Sequence, residues 1–306
     1  MITPEDQYIH SRTVDNTPLS NEEQIFYNWY IKNNQENRAT QMQLLDMDEF
    51  SELYSNTKIQ NDKNWVKTQR DKGNQKDHTE RAEIAEYIIK TFANDSEWLG
   101  KDSAISETLE YDDRKHHTDF IAEWDNGEGE VDCALAIDCT VSDYAPTINN
   151  KVAKITRDIN KKKLTSIEYH NSEMTGEQSA LEQVPRVLIV FNKKTLQELC
   201  KKLIVHTDEE EYYDQERDSY MQLYFLQTIK SQLDAQIEYI KSLPQCKEAG
   251  GCDEILNNTI KVFDRIHKEF RAKEKDLSEN VIKQASYEYK LAENKIQAAL
   301  KAYERK

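Results

Sequence analysis

Residues 132–142, DCALAIDCTVS, carry a charged residue inside an apolar run. Apolar side chains at nearly every position are typical of a strand that is buried on both faces of a sheet. Residues 186–192, RVLIVFN, have the same character further along the chain. The first run predicts a central strand and the second a further buried strand, with Asp138 at a position where an uncompensated charge is costly.

Helical and strand-like patterns alternate around these two runs, which indicates an α/β fold. A helix with apolar residues at helical spacing is predicted over residues 80–95. The segments predicted to follow it are strands at 106–113, 117–125 and 132–142, a helix at 147–160, strands at 164–170 and 186–192, and a helix at 193–205. The turn DNGEGE, with its two glycines, predicts that the second and third strands form a hairpin.

We predict the α/β core over residues 76–205. The segments on either side of it differ from the core in their pattern of polar and apolar residues. Residues 1–75 are predicted to form a polar, helical N-terminal extension, with short helices at 21–33 and 41–54 and a linker beginning at Ser55. Residues 206–306 carry two apolar stripes separated by Pro244 and a Gly-Gly pair, which predicts a coiled-coil-like helical hairpin. If its second helix were unbroken, it would be about 70 Å long.

The composition excludes several classes of protein. The 306 residues contain 41 Lys and Arg against 57 Asp and Glu, so the net charge is −16, while 16 Tyr, 8 Phe and 4 Trp argue against a disordered chain. The N-terminal residues are polar and no apolar run reaches the roughly 18 residues of a membrane helix, so we expect no signal peptide, no membrane contact and a cytoplasmic location. Five scattered cysteines are expected to be reduced, with a Cys246–Cys252 bridge as the less favoured alternative.

Two aspartates on the predicted hairpin are candidates for a metal site. Asp119 lies near the start of one strand and Asp138 lies inside the next, so the two carboxylates can approach each other. A divalent cation relieves their repulsion, and Mg²⁺ characteristically binds one or two carboxylates together with waters. Glu83, on the preceding helix, is a candidate third carboxylate. The alternative is structural, with one aspartate capped or salt-bridged and the other exposed.

This arrangement resembles the PD-(D/E)XK nuclease superfamily. The likeness covers residues 76–192 and depends on the order of elements as much as on the short motif Asp138-Cys139-Thr140. It implies a restriction-endonuclease-like core in which Asp119 is the first motif aspartate, Asp138 the second acid and Glu83 the helix glutamate. It also implies Mg²⁺ or Mn²⁺ as cofactor.

The chain departs from the family pattern at Thr140, which stands where the family has a lysine. That lysine positions the attacking water and stabilises negative charge on the phosphate, which a neutral hydroxyl does only in part. Some members of the family use a lysine from the next helix instead. Lys151 and Lys154 lie on that helix and are the candidate substitutes, while Thr140 is left to hydrogen-bond a bound water.

The same predicted helix contains the one dense basic run of an acidic chain. Its members are Lys151, Lys154, Arg157, Lys161, Lys162 and Lys163. Coming directly after the Asp138 strand, they are predicted to bind the nucleic-acid backbone, and the alternative is an ordinary solvated helix face. His116 and His117 are weaker candidates for metal or phosphate contacts.

The predicted function is therefore metal-dependent hydrolysis of phosphodiester bonds in nucleic acid, with DNA the favoured substrate. The predicted catalytic residues are Asp119, Asp138, Glu83, Thr140 and either Lys151 or Lys154, and the predicted metal ligands are Asp119, Asp138 and Glu83. The alternative is a catalytically degenerate nuclease fold that binds protein or nucleic acid through its helical hairpin. Self-association through the C-terminal helices is a further possibility that the sequence leaves open.

Overall fold

The structure is a computed structural model, and it describes residues 17–30, 46–72, 80–142, 145–205, 220–246, 251–279, 282, 283 and 285. Residues 21–30 form helix α1. The other helices are α2 (Asn56–Lys72), α3 (Glu80–Asp95), α4 (Glu110–His116), α5 (Ala145–Asn160), α6 (Lys193–Val205), α7 (Tyr220–Ser242) and α8 (Asp253–Asp276). The strands are β1 (Ser103–Glu107), β2 (Phe120–Asp125), β3 (Val131–Val141), β4 (Thr165–Asn171), β5 (Gln178–Val184) and β6 (Arg186–Phe191). Short 3₁₀ helices lie at Met47–Glu52 and Pro244–Cys246.

The sheet that organises the fold has four strands in the order β1-β2-β3-β6. The first three strands form an antiparallel meander, and β6 lies parallel to β3 after a crossover that contains α5. The predicted α/β class is confirmed, and β3 has the predicted central, buried position, whereas β6 is buried but lies at the edge of the sheet. The predicted hairpin of β2 and β3 is also present, with Phe120 opposite Ile137 and a register irregularity after Trp124.

Helices cover both faces of this sheet. One face, with Phe120, Ala122 and Ile137, packs against apolar residues of α3 and α7 in the main core. On the other face, Leu188 and Val190 of β6 pack against Ile148 and Val152 of α5. The chain between β4 and β6 contains a further strand, β5, which pairs with β4 in a separate two-stranded sheet that packs on Ile121 and Ala136.

Side chains of α7 hydrogen-bond the outer edge of β6. The Gln232 amide accepts a hydrogen bond from the backbone N–H of Leu188 at 2.9 Å and donates one to its carbonyl at 2.8 Å. Gln236 Nε2 donates to the carbonyl of Arg186 at 2.8 Å, and the Tyr224 hydroxyl donates to that of Val190 at 3.1 Å. The two glutamines are buried because they substitute for a neighbouring strand.

Two predictions between residues 55 and 113 are wrong. The segment beginning at Ser55, predicted to be a linker, contains the 17-residue helix α2. Its few apolar side chains are spaced for one face, and Ile59 and Val66 are buried against residues of α4 and β4. The strand predicted at 106–113 is also misplaced, because β1 ends at Glu107 and α4 begins at Glu110. Acidic residues in the first turn of α4 and basic residues in its last turn suit the helix dipole.

The C-terminal region forms the predicted helical hairpin, but its second helix is shorter than an unbroken one. Helix α8 ends at Asp276, since Leu277 has an extended backbone with φ −90° and ψ 148°. Helix α7 shares the main core with the sheet, and α8 contributes Val262 and Ile266 to it. The later part of the predicted stripe and residues 41–45 of the predicted N-terminal helix lie outside the described residues.

Cys246 and Cys252 form a disulfide at the connection between α7 and α8, which corrects the expectation of reduced cysteines at these two positions. The other three cysteines are free. In the part of the chain that the structure describes, no helix has both the length and the apolar character needed to cross a membrane.

Candidate active site

Asp119 and Asp138 lie opposite each other where β2 begins. The β2–β3 register pairs Phe120 with Ile137, which brings the next pair, Asp119 and Asp138, to facing positions. The backbone N–H of Asp119 donates to the Ile137 carbonyl at 2.9 Å. Its carboxylate Oδ2 accepts a hydrogen bond from the backbone N–H of Cys139 at 2.5 Å. The hairpin thus holds both carboxylates at one point of the sheet, as the sequence predicted.

The carboxylate of Asp119 is in an environment that disfavours negative charge. Asp138 is only 4% exposed. Burial, together with the neighbouring charges of Asp138 and Asp113, raises the pKa of Asp119 well above its ordinary value. The Lys151 ammonium and the Cys139 N–H act in the opposite direction on the same pKa, but burial and repulsion are the larger effects. A cation at this point would therefore be bound favourably.

Lys151 supplies one such cation to Asp138. Its Nζ donates to Asp138 Oδ1, and the two side chains are 17% and 6% exposed. Lys151 lies in the second turn of α5, whose apolar residues Ile148 and Val152 fix the helix against β6. Of the two lysines proposed as substitutes for the missing motif lysine, Lys151 is the one that the fold brings to the carboxylates.

Lys154 has a different environment, one turn further along α5. Its Nζ donates to the backbone carbonyl of Lys115, at 3.3 Å, in the last turn of α4. The guanidinium of Arg186 donates to the next carbonyl, that of His116, at 2.5 Å. Both cations lie at the negative end of the α4 dipole. Since β2 follows α4 after a short turn in which His117 is left-handed (φ 53°), these contacts fix the position from which Asp119 projects.

The helix glutamate that interacts electrostatically with Asp119 is Glu86, three residues after the predicted Glu83. Burial and the charges of Asp119 and Asp113 raise the pKa of Glu86 well above its ordinary value. Glu83 lies one turn earlier in α3, where its carboxylate accepts a hydrogen bond from the Tyr27 hydroxyl of α1 at 3.2 Å. The sequence predicted the correct helix, but the choice between two glutamates three residues apart depends on how α3 is rotated against the sheet.

The remaining predicted residues divide into two groups. Thr140 follows Asp138 by two residues in β3 and so faces the same side of the sheet. The basic residues at the end of α5 are exposed and extend away from the carboxylates, since the helix rises by about 14 Å between Lys151 and its last residue, Asn160. This exposed group contains Arg157, Lys161, Lys162 and Lys163.

The two histidines are not brought to the carboxylate pair by any described contact. His116 Nε2 lies 3.8 Å from Asp112 and 3.7 Å from Glu168, which are electrostatic contacts rather than hydrogen bonds. These acids belong to a separate network that joins α2, α4 and β4. His117 forms the left-handed residue at the end of α4. Both positions thus have a structural role.

Sequence reasoning missed Glu86 and Arg186. Arg186 is 4% exposed although it opens an apolar strand, and an arginine at such a position must find buried acceptors. That requirement was the available signal for its structural role. Glu86 had no comparable signal, because Glu83 and Glu86 occupy neighbouring turns of one polar helix face.

The carboxylate pair fits a hard divalent cation bound by few protein ligands. Across the described ranges, no three His, Cys, Asp or Glu side chains gather at the spacing that a metal needs. A closed protein cage for Zn²⁺ or Ca²⁺ is therefore not formed by these residues. Mg²⁺ and Mn²⁺ require less, because such ions keep several waters and take one or two carboxylates. Asp119 and Asp138, buried and mutually repelling, match that donor set.

Asp119, Asp138, Glu86 and Lys151 together form an ionisable cluster at one end of the sheet. Strongly raised carboxylate pKa values beside a partly buried lysine are typical of sites selected for chemistry. Comparison of the chain with protein-family models, with curated proteins and with solved structures finds no match.

Proposed function

We propose that the protein is a divalent-metal-dependent nuclease that hydrolyses phosphodiester bonds of nucleic acid, with DNA the favoured substrate. The observation that carries the proposal is the contact of Lys151 with Asp138 directly beside Asp119. A lysine from the helix after the hairpin thereby lies where the motif lysine would be needed. Apart from α4 between β1 and β2 and the β4–β5 pair before β6, the order α3, β1, β2, β3, α5, β6 supports a distant relation to the PD-(D/E)XK superfamily.

Each residue of the cluster has a role in this proposal. Asp119 and Asp138 would hold Mg²⁺ or Mn²⁺, which supplies Lewis-acid stabilisation of negative charge and lowers the pKa of bound water. Glu86 adds negative charge beside them. Lys151 is the ammonium group available to stabilise the developing charge on a phosphate. The Thr140 hydroxyl, on the same side of β3, is placed to orient a water molecule.

The exposed basic end of α5 is proposed to bind the substrate backbone. The side chains of Arg157 and of the lysines at 161–163 are exposed to solvent, so they can contact phosphate oxygens. Such contacts fix the register of a nucleic acid but read no sequence. The net charge of −16 repels nucleic acid elsewhere on the surface, so binding should be confined to this side of the molecule.

The test is a cleavage assay on plasmid, single-stranded DNA and RNA, with Mg²⁺ or Mn²⁺ and with a chelator. The wild type should cleave at least one substrate, and both the chelator and Asp138→Asn should abolish cleavage. Glu182→Gln, which removes an exposed carboxylate from β5, is the matched control and should cleave like the wild type. Cleavage that survives in Asp138→Asn, or that is absent from every substrate, would contradict the proposal.

The second candidate function is a catalytically inactive nuclease fold that binds a partner through α7 and α8. Thr140 in place of the motif lysine favours this alternative. The packing favours it less, since α7 buries its apolar residues against the sheet and leaves mainly α8 to meet a partner. A protein that binds Mn²⁺ and DNA but cleaves no substrate would support this second function over the first.

A further inference from the structure

We infer that Lys151 is a resident counter-ion that a divalent metal must displace from Asp138. This inference rests on the proposed function, because it concerns how the same site changes between its metal-free and metal-bound forms. It predicts that one side chain opposes metal binding and also supports catalysis. Loss of Lys151 should consequently change metal affinity and cleavage in opposite directions.

Lys151 and Asp138 form a direct ion pair. Lys151 Nζ donates to Asp138 Oδ1, and the carboxylate is 6% exposed while the lysine side chain is 17% exposed. A carboxylate this deeply buried needs a compensating cation, and Lys151 provides it. A metal bound to the same oxygen would meet a positive charge at hydrogen-bonding distance. The ammonium and the metal therefore compete for Asp138.

The Lys151 ammonium can move away from Asp138 without disturbing the fold. Its side chain is partly accessible, whereas its helix is anchored by apolar residues on the adjoining positions, Ile148 and Val152. The ammonium can thus move by side-chain rotation while α5 stays in place. A lysine released from Asp138 remains beside the carboxylate pair, which is where negative charge on a bound phosphate would need it.

Lys154, one turn further along α5, makes a different contact and is not the counter-ion of Asp138. Its Nζ donates to the Lys115 carbonyl at 3.3 Å and so contacts the end of α4. Replacing Lys154 would change the support of Asp119 as well as the local charge. Lys161, which is exposed just beyond the last residue of the same helix, is the better control for the loss of one positive charge.

The experiment is a calorimetric titration of the full chain with Mn²⁺ alone, alongside the cleavage assay. Lys151→Met should bind Mn²⁺ roughly fivefold more tightly than the wild type, as expected for removal of a partly buried ion-pair competitor. The same variant should cleave at least about 100-fold more slowly. Lys161→Met should leave the affinity for Mn²⁺ unchanged, and Lys151→Arg, which keeps the charge, should not gain affinity.

A second variant keeps the inference testable if Lys151→Met fails to fold. Lys151→Gln retains a hydrogen-bond donor for Asp138 but no charge, so it should also gain affinity for Mn²⁺. Mn²⁺ affinity equal to or weaker than the wild type's in folded Lys151→Met or Lys151→Gln would overturn the inference and leave the proposed nuclease standing. If neither the wild type nor the variants bind Mn²⁺ or cleave any substrate, the proposed function itself is wrong, and the inference falls with it.

Discussion

Two clusters of acidic residues, both touching α4, have opposite electrostatics. In the first, Asp119 and Glu86 have pKa values raised by burial and by neighbouring carboxylates. In the second, which joins α2, α4 and β4, the approach of His116 and hydrogen bonds from Lys115 and Lys58 hold the pKa of Glu168 well below its ordinary range. The carboxylates of the first cluster repel one another, whereas the charge of Glu168 in the second cluster is compensated by neighbouring cations.

The second cluster, which we call the Glu168 network, shows what structural use of carboxylates looks like in this protein. Glu168 accepts hydrogen bonds from Lys58 at 2.5 Å and from Lys115 at 2.7 Å, and Lys58 lies 4.1 Å from the centre of the Tyr54 ring. Asp112 is fully buried, which raises its pKa, yet both its oxygens accept backbone N–H groups of β4. The hydrogen bonds of Glu168 and Asp112 fasten α2 and α4 to β4.

The comparison shows how the two kinds of site can be told apart. A carboxylate that contributes to stability has its charged form favoured by the fold, and its pKa falls. A carboxylate kept for binding a cation has its charged form disfavoured until that cation arrives, and its pKa rises. By this criterion Asp119, which faces Asp138, is the candidate for chemistry, and Glu168 is a structural carboxylate that fastens α2 and α4 to β4. Asp112 departs from the criterion, because burial raises its pKa although backbone N–H groups of β4 satisfy both its oxygens.

The largest expected effect is that of Asp138→Asn on cleavage. Removing a proposed metal ligand should lower the rate by at least about 100-fold. Because the lost repulsion with Asp119 offsets the lost ion pair with Lys151, the free energy of unfolding should change by less than about 1 kcal/mol. Cleavage rates and urea unfolding of the two proteins provide the check, and a large loss of stability would place Asp138 among the structural carboxylates instead.

The next effect is the converse one, for Glu168→Gln. This change removes the charge that pairs with Lys58 and Lys115, so the free energy of unfolding should fall by about 2 kcal/mol. Cleavage should stay within about threefold of the wild type, since Glu168 does not contact the carboxylate pair. Urea unfolding of Glu168→Gln beside the exposed control Glu182→Gln measures the difference. A stable but inactive Glu168→Gln protein would undo the division between the two clusters.

A smaller effect separates two glutamates of α3. Glu86→Gln should slow cleavage by about tenfold, because it removes negative charge beside the proposed metal site. Glu83→Gln, one turn away, should have the smaller effect, since its carboxylate bonds the Tyr27 hydroxyl. Steady-state rates at several Mg²⁺ concentrations measure both variants. The reverse ranking would restore Glu83 as the helix glutamate of the site.

The smallest effect is a pH dependence of stability. Since the folded-state pKa of Glu168 lies below its ordinary value of 4.5, its contribution to stability is present above that value and is lost as the pH falls through the folded pKa. The stability difference between wild type and Glu168→Gln should therefore shrink by roughly half between pH 7 and pH 3. Urea unfolding at both pH values gives the answer, and a difference that grows on acidification would contradict the assigned pKa direction.

The sequence was informative where apolar runs determine position. The buried strand around Asp138, its hairpin partner and the helix at 193–205 are all present, because such patterns admit few other arrangements. The proximity of Asp119 to Asp138 followed from the hairpin alone. Two strands joined by a tight turn bring their side chains into a register that sequence spacing can reveal.

The sequence was uninformative where polar contacts determine position. Helix α2 has only three large apolar residues, and its place depends on Lys58 reaching Glu168 more than a hundred residues away. Likewise, the choice of Glu86 over Glu83 and the burial of Arg186 depend on the rotation of helices against the sheet. Long-range ion pairs of this kind leave no periodic signal in the chain.

The hydrogen bonds from α7 to β6 have a consequence for how the chain can be divided. Gln232 and Gln236 occupy the donors and acceptors of a strand that is otherwise an open edge of six buried residues. A fragment that ends before Tyr220 would present this edge to other molecules, and unpaired apolar edges template strand addition and aggregation. We therefore expect a shortened protein to self-associate through β6. The helical hairpin thus prevents edge-to-edge association of the sheet in addition to forming part of the core.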